Sequence, residues 1–127
     1  MRYLSADDIK RMNQRVLDKY EKYPSKFQFP GNERELDNVV AEAKTYREPA
    51  SIAATYLYNL NRRHIFNSAN KRTAFLATDM FFQKNKIVFE ITDEEAVKLS
   101  KDIRNDKYTF DEVKNYLAPR IKNRQHA

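Results

Sequence analysis

A chain of 127 residues and 15.2 kDa provides for one domain, which on folding hides roughly two-thirds of its unfolded surface, enough for a core without staples. Its 41% hydrophobic and 33% charged residues exclude a disordered tail and a membrane protein, while 24 Lys+Arg against 18 Asp+Glu leave +6, which fits either an anionic partner or ordinary solubility. The single glycine, Gly31, excludes glycine-rich phosphate loops and argues against an all-β fold, and the lack of cysteine excludes disulfides, thiolate zinc and a cysteine nucleophile.

The hydrophobic period is helical nearly throughout. It predicts an all-α fold, a compact bundle of about six helices forming a single domain over residues 1–127. Ser5-Ala6-Asp7-Asp8 reads as a cap with acids in the first turn, followed by an amphipathic face of Ile9, Met12, Val16, Leu17 and Tyr20. From Tyr23 to Asn32 the chain holds Pro24, Pro30 and Gly31 around Phe27 and Phe29, a loop pinned by aromatics in which Gly31 has an ordinary turn role. A second helix is expected from Glu33 to Tyr46, with Leu36, Val39, Val40 and Ala43 inward. Pro49 suits the first turn of a third, Ala50–Asn61, burying Ile52, Ala53, Tyr56, Leu57 and Leu60.

His64–Ala69 breaks the pattern as a loop, and a helix over Asn70–Lys84 follows it, apolar on most sides and expected at the centre. Ile87-Val88-Phe89 is a short extended piece. Thr92-Asp93-Glu94-Glu95 opens a fifth helix through Ile103, and Thr109-x-x-Glu112 is a capping box for a sixth, expected to run to Ile121. Lys122–Ala127 reads as a frayed polar tail. Met1–Lys10 lacks the apolar run of a secretory signal and no stretch approaches a membrane span, so a soluble, cytoplasmic protein is expected.

Between Asn59 and Thr78 there is no acid, yet Arg62, Arg63, Lys71 and Arg72 stand there. A helix N-terminus already attracts anions through its free N–H groups and its dipole. Cations in that first turn oppose stability, so Lys71 and Arg72 beside Asn70 point to a bound phosphate. His64 opens the same loop; His126, the other histidine, falls in the tail.

The segment His64-Ile65-Phe66-Asn67-Ser68-Ala69-Asn70-Lys71-Arg72 resembles the active-site motif of the Fic/Doc family, and specifically its Doc (death-on-curing) toxin branch, H-x-F-x-D-A-N-K-R, at eight of nine positions. The resemblance implies that His64 is the general base taking a proton from a target hydroxyl, work that imidazole suits near neutral pH. It implies that Phe66 anchors the loop, that Ala69, Asn70, Lys71 and the nearby N–H groups hold phosphates, and that Arg72 binds phosphate and stabilises charge during transfer.

Most Fic proteins move a nucleoside monophosphate. Ala69 and Lys71, where those have glycines, place this chain with the Doc-type kinases, which use ATP. By resemblance the target is a Thr or Ser hydroxyl of a translation factor, elongation factor Tu, and the setting is a bacterial, plasmid- or phage-associated toxin–antitoxin module. One departure stands out: Ser68 occupies the position of the family's Mg²⁺-binding acid, and a neutral hydroxyl is a poor ligand for that cation, so a weakened metal site is expected. Asp79, nine residues into the helix from Asn70 and roughly 13 Å along its axis, does not fill in.

No Ser or Thr begins the self-inhibitory pattern [ST]-x-x-x-E-[GN], so restraint would fall to a separate antitoxin of the Phd type whose disordered C-terminal segment folds on binding. Lys44–Glu48 is the candidate flap for aligning a target peptide. The competing readings are a Fic-type AMP transferase, a catalytically silent adaptor and a nucleic-acid-binding helical module. A HEPN-type ribonuclease places its arginine further ahead of the histidine than Arg62 and Arg63 stand.

Overall fold

The helix starts follow the capping chemistry of the sequence. In the computed structural model, which describes residues 1–20, 31–66 and 69–123, six helices run in order: α1 (Ala6–Tyr20), α2 (Glu33–Ala43), α3 (Pro49–Arg62), α4 (Asn70–Lys84), α5 (Asp93–Arg104) and α6 (Phe110–Leu117). Ser5 and Asp8 exchange hydrogen bonds at the start of α1, with Asp8 N–H donating to Ser5 Oγ at 3.1 Å and Ser5 N–H to Asp8 Oδ2 at 2.9 Å. Asn32 caps α2, and full capping boxes open α5 (Thr92 with Glu95) and α6 (Thr109 with Glu112). Each such cap stabilises its helix by about 1 kcal/mol.

α3 lies at the middle of the bundle, packed by α2, α4, α5 and α6, and buries Ile52, Ala53, Tyr56, Leu57 and Leu60 as the spacing requires. Its polar residues are enclosed too, and Thr55 answers the problem by donating its hydroxyl to the Ser51 carbonyl at 2.9 Å. α4 shares the centre, lying across α3 on one side and α1 on the other. The Tyr56 hydroxyl accepts from Leu4 N–H at 3.0 Å, and burial pushes that phenol up to about 12.

Three boundaries differ from expectation by more than one residue. α2 ends at Ala43 rather than Tyr46: Lys44, Thr45 and Tyr46 turn out of the helix, and the Tyr46 ring stacks on Phe110 with centroids 5.7 Å apart. α6 ends at Leu117 rather than Ile121, because Pro119 cannot continue it; a 3-10 turn, Ala118–Arg120, follows. Lys122 is not frayed. It belongs to β2 (Ile121–Asn123), which pairs antiparallel with β1 (Ile87–Phe89), Val88 opposite Lys122. Residues 124–127, His126 among them, lie outside the described residues, as do Tyr23, Pro24, Phe27, Phe29 and Pro30.

Candidate active site

The loop between α3 and α4 is held from several directions. His64, just past the end of α3, has φ 48, and Ala69, just before α4, has φ 65, so left-handed backbone brackets the loop. Neither is glycine, and each such residue stores on the order of 1 kcal/mol of strain that the surroundings must offset. Ile65 and Phe66 are buried in the core between them. The Ile65 carbonyl accepts from Asn32 N–H at 2.7 Å, and Gly31 forms an antiparallel bridge with Phe66.

Gly31 therefore has more than a turn role. A Cβ at that position would stand 2.1 Å from the Ile65 carbonyl oxygen, so the only glycine in the chain permits the close approach that braces the loop. Asn70 completes the brace from the other side, its Oδ1 accepting from Phe66 N–H at 3.0 Å and its Nδ2 donating to the Phe66 carbonyl at 2.9 Å. Both polar atoms of this buried amide are thus engaged by the loop backbone.

A groove of about 600 Å³ opens over the start of α4, lined by His64, Ala69, Asn70, Lys71, Arg72 and Phe75 on one side and by Ala96, Val97, Ser100, Lys101 and Arg104 of α5 on the other. Ala69 makes no side-chain cap, and the start of α4 presents backbone N–H groups and the positive end of the helix dipole toward the groove. His64 is exposed, and its Nε2 lies 3.3 Å from Arg104 Nη2. No carboxylate is among the described lining residues.

The four cations singled out by sequence separate here. Lys71 and Arg72 line the groove. Arg62 instead ties α3 to the end of α5, pairing with Asp106 and donating to the Ile103 carbonyl at 3.3 Å, and Arg63 reaches Glu35 and Glu42 of α2. Their place is taken by Lys101 and Arg104, which the sequence reading missed. The available signal was the i, i+4, i+7 spacing of Val97, Lys101 and Arg104, with Val97 56% exposed on that face.

The acid position of the loop, Ser68, lies outside the described residues, together with Asn67. Among the described residues no group of three His, Cys, Asp or Glu could hold a metal ion. Asp79 faces a second cavity between α1 and α4, with Arg15 and Lys19, and not the groove. The described residues that line the groove therefore offer a metal no carboxylate. Lys44–Glu48 precedes α3 at the end opposite His64, roughly 20 Å away along a helix of 14 residues, and does not border the groove.

A model of the Fic/DOC family matches residues 3–82, which span α1 to α4 and contain the loop. The chain belongs to the Fic/Doc family. It is 30% identical to the protein named protein kinase doc of Escherichia phage P1, over 90 residues that make up 68% of this chain and 71% of that relative. Within the Fic/Doc match lie His64, Phe66, Asn70, Lys71 and Arg72; Lys101 and Arg104 stand beyond it. Among the described residues of this Fic/Doc chain no helix is long and apolar enough to cross a membrane.

Proposed function

We propose that the protein is a Doc-type toxin that transfers the γ-phosphate of ATP to a Thr or Ser hydroxyl of a translation protein, elongation factor Tu being the first candidate. The observation that carries the reading is the groove itself: His64, Lys71, Arg72 and the start of α4 on one wall, Lys101 and Arg104 on the other, and no carboxylate among the described lining residues. Such a surface attracts a polyphosphate and leaves an imidazole at its edge.

In this reading His64 accepts the proton of the target hydroxyl while its oxygen bonds to the γ-phosphorus. The bond to the β-phosphate oxygen breaks and ADP leaves. Lys71 and Arg72 offset charge on the transferring group, which is where most catalysis of phosphoryl transfer arises. Asn70 contributes by fixing Phe66 and so the loop geometry, leaving phosphate contacts to backbone N–H groups and cations. Mg²⁺ would arrive with the nucleotide, and no protein group in the groove is assigned to it.

Restraint would come from a separate chain, an antitoxin segment of the Phd type. The cytoplasm is the setting that such a target and such a regulator require.

ATP labelled separately at the α- or γ-phosphate, incubated with the protein and elongation factor Tu, tests the reaction. Label from the γ position alone is the expected result. Label from the α position would make the protein a nucleotidyl transferase, and transfer from neither position to any translation protein would overturn the reading. Steep salt-dependent affinity for DNA, without protection by ATP against unfolding, would favour a nucleic-acid-binding module instead.

A further inference from the structure

The contact between Arg104 and His64 joins two elements with different origins in the chain. His64 ends the link from α3, whereas Arg104 is the last residue of α5, outside the Fic/Doc match. A guanidinium carries only donors and stays protonated in proteins, so at 3.3 Å the Arg104 Nη2 donates and His64 Nε2 accepts. The neutral imidazole then holds its proton on Nδ1, and the Nε2 lone pair is occupied. Among the described residues Arg104 has no other polar partner, and its side chain is exposed to the groove.

A neutral imidazole is a modest acceptor for that fork. Phosphate oxygens take an arginine by charge-assisted, often two-pronged hydrogen bonds, roughly twice as strong as neutral ones. The opposite wall of the groove, Lys71, Arg72 and the start of α4, would bring a polyphosphate within reach of α5. Lys101, one turn before Arg104, lines the same wall and adds to the attraction.

We propose that Arg104 is a positioning residue that exchanges partners: it holds His64 through Nε2 while the groove is empty and turns onto the polyphosphate when one binds, releasing Nε2 to accept a proton. The inference rests on the groove binding phosphates, as set out above. Its consequence is order: the base becomes competent only after the nucleotide is in place, so an encounter with a target hydroxyl alone leads nowhere.

Long-range ¹⁵N–¹H correlation on the ¹⁵N-labelled chain reads the tautomer of His64, whose signals are identified by their loss in His64→Ala. Inorganic pyrophosphate is the probe. Without it His64 should be in the Nδ1–H form, and saturating pyrophosphate should move its signals toward those of Arg104→Gln. In Arg104→Gln they should be the same with and without probe, and pyrophosphate should bind roughly tenfold more weakly. Lys101→Gln should also weaken binding yet leave the tautomer of the probe-free protein unmoved. Arg104→Met, which keeps the stem length and removes the donor, gives the same comparison should the glutamine variant not fold. Pyrophosphate binding that leaves His64 unmoved would overturn the exchange, as would identical His64 signals in the unaltered chain and both Arg104 variants. Failure of the unaltered chain to bind either pyrophosphate or ATP would overturn the phosphate reading, and with it this inference.

Discussion

The carboxamide of Asn70 grips the backbone of Phe66 at both polar atoms, accepting from its N–H at 3.0 Å and donating to its carbonyl at 2.9 Å. A single side chain in the first turn of α4 thereby sets the conformation of the loop that presents His64. The amide is 6% exposed, so neither bond is readily exchanged for water. Asn70→Ala should lower stability by about 2 kcal/mol, read as a reduced urea midpoint at unchanged slope. It should also reduce transfer more than it reduces nucleotide affinity, because the cations stay while the base is released from position. Loss of affinity without loss of stability would mean instead that the amide contacts phosphate directly.

Gly31 braces the same loop from the opposite direction. With 2.1 Å between a Cβ there and the Ile65 carbonyl oxygen, Gly31→Ala forces one of two backbone segments to move. That oxygen is already committed to Asn32 N–H at 2.7 Å, and Ile65 is fully buried, so neither side yields cheaply. The substitution should cost at least about 2 kcal/mol, the range of backbone incompatibility and overpacking. Thermal unfolding checks the stability, and transfer activity should fall in parallel. An alanine variant as stable and as active as the parent would show that the bridge between Gly31 and Phe66 is dispensable.

The helix starts were readable because capping is local: Thr92 with Glu95 and Thr109 with Glu112 are written within four residues and formed as written. The motif loop and the start of α4 at Asn70 were equally plain. What escaped depends on which elements meet in space. Lys101 and Arg104 look like the solvated face of an amphipathic α5 until that helix is laid beside the start of α4, and Arg62 and Arg63 look like site cations until Asp106, Glu35 and Glu42 are found opposite them. The bracing role of Gly31 was hidden for the same reason, since Ile65 is distant in sequence and adjacent in the fold.

Acid should weaken the protein through the start of α1. Burial raises the Asp8 carboxyl, but the backbone and hydroxyl hydrogen bonds of Ser5 and the cations Lys84 and Arg11 together hold it below its ordinary 3.8. The folded state thus takes up this proton less readily than the unfolded chain. Its contribution is present above the ordinary carboxylate range and is lost as pH falls through the lowered folded value. Asp8→Asn keeps an acceptor for Ser5 N–H but removes the charge, and should lower stability by about 0.5–1 kcal/mol at neutral pH. Denaturant titrations over a pH series should show that deficit shrinking as pH falls through the ordinary carboxylate range and below it. A deficit constant with pH would assign the effect to cap geometry and not to charge.

Restoring an acid at Ser68 separates metal binding from nucleotide binding. The described lining of the groove is cationic and has no carboxylate, so metal-free ATP should bind readily while Mg²⁺ finds among those residues no oxygen of the kind it favours. Asp79, on the α1 side of α4, supplies none. Ser68→Asp introduces a carboxylate beside the start of α4, with opposite consequences in the two conditions. Without Mg²⁺ the new charge repels the phosphates, and ATP affinity should fall. With Mg²⁺ the carboxylate and the phosphates share the cation, so the Mg²⁺ midpoint for transfer should drop by roughly tenfold and the rate should rise. Calorimetric titration of ATP with and without Mg²⁺, together with transfer assays across a Mg²⁺ series, reads both arms. An unchanged midpoint and an unchanged rate would mean that the serine does not limit the metal, and that the cationic walls alone carry the charge of the transferring phosphate.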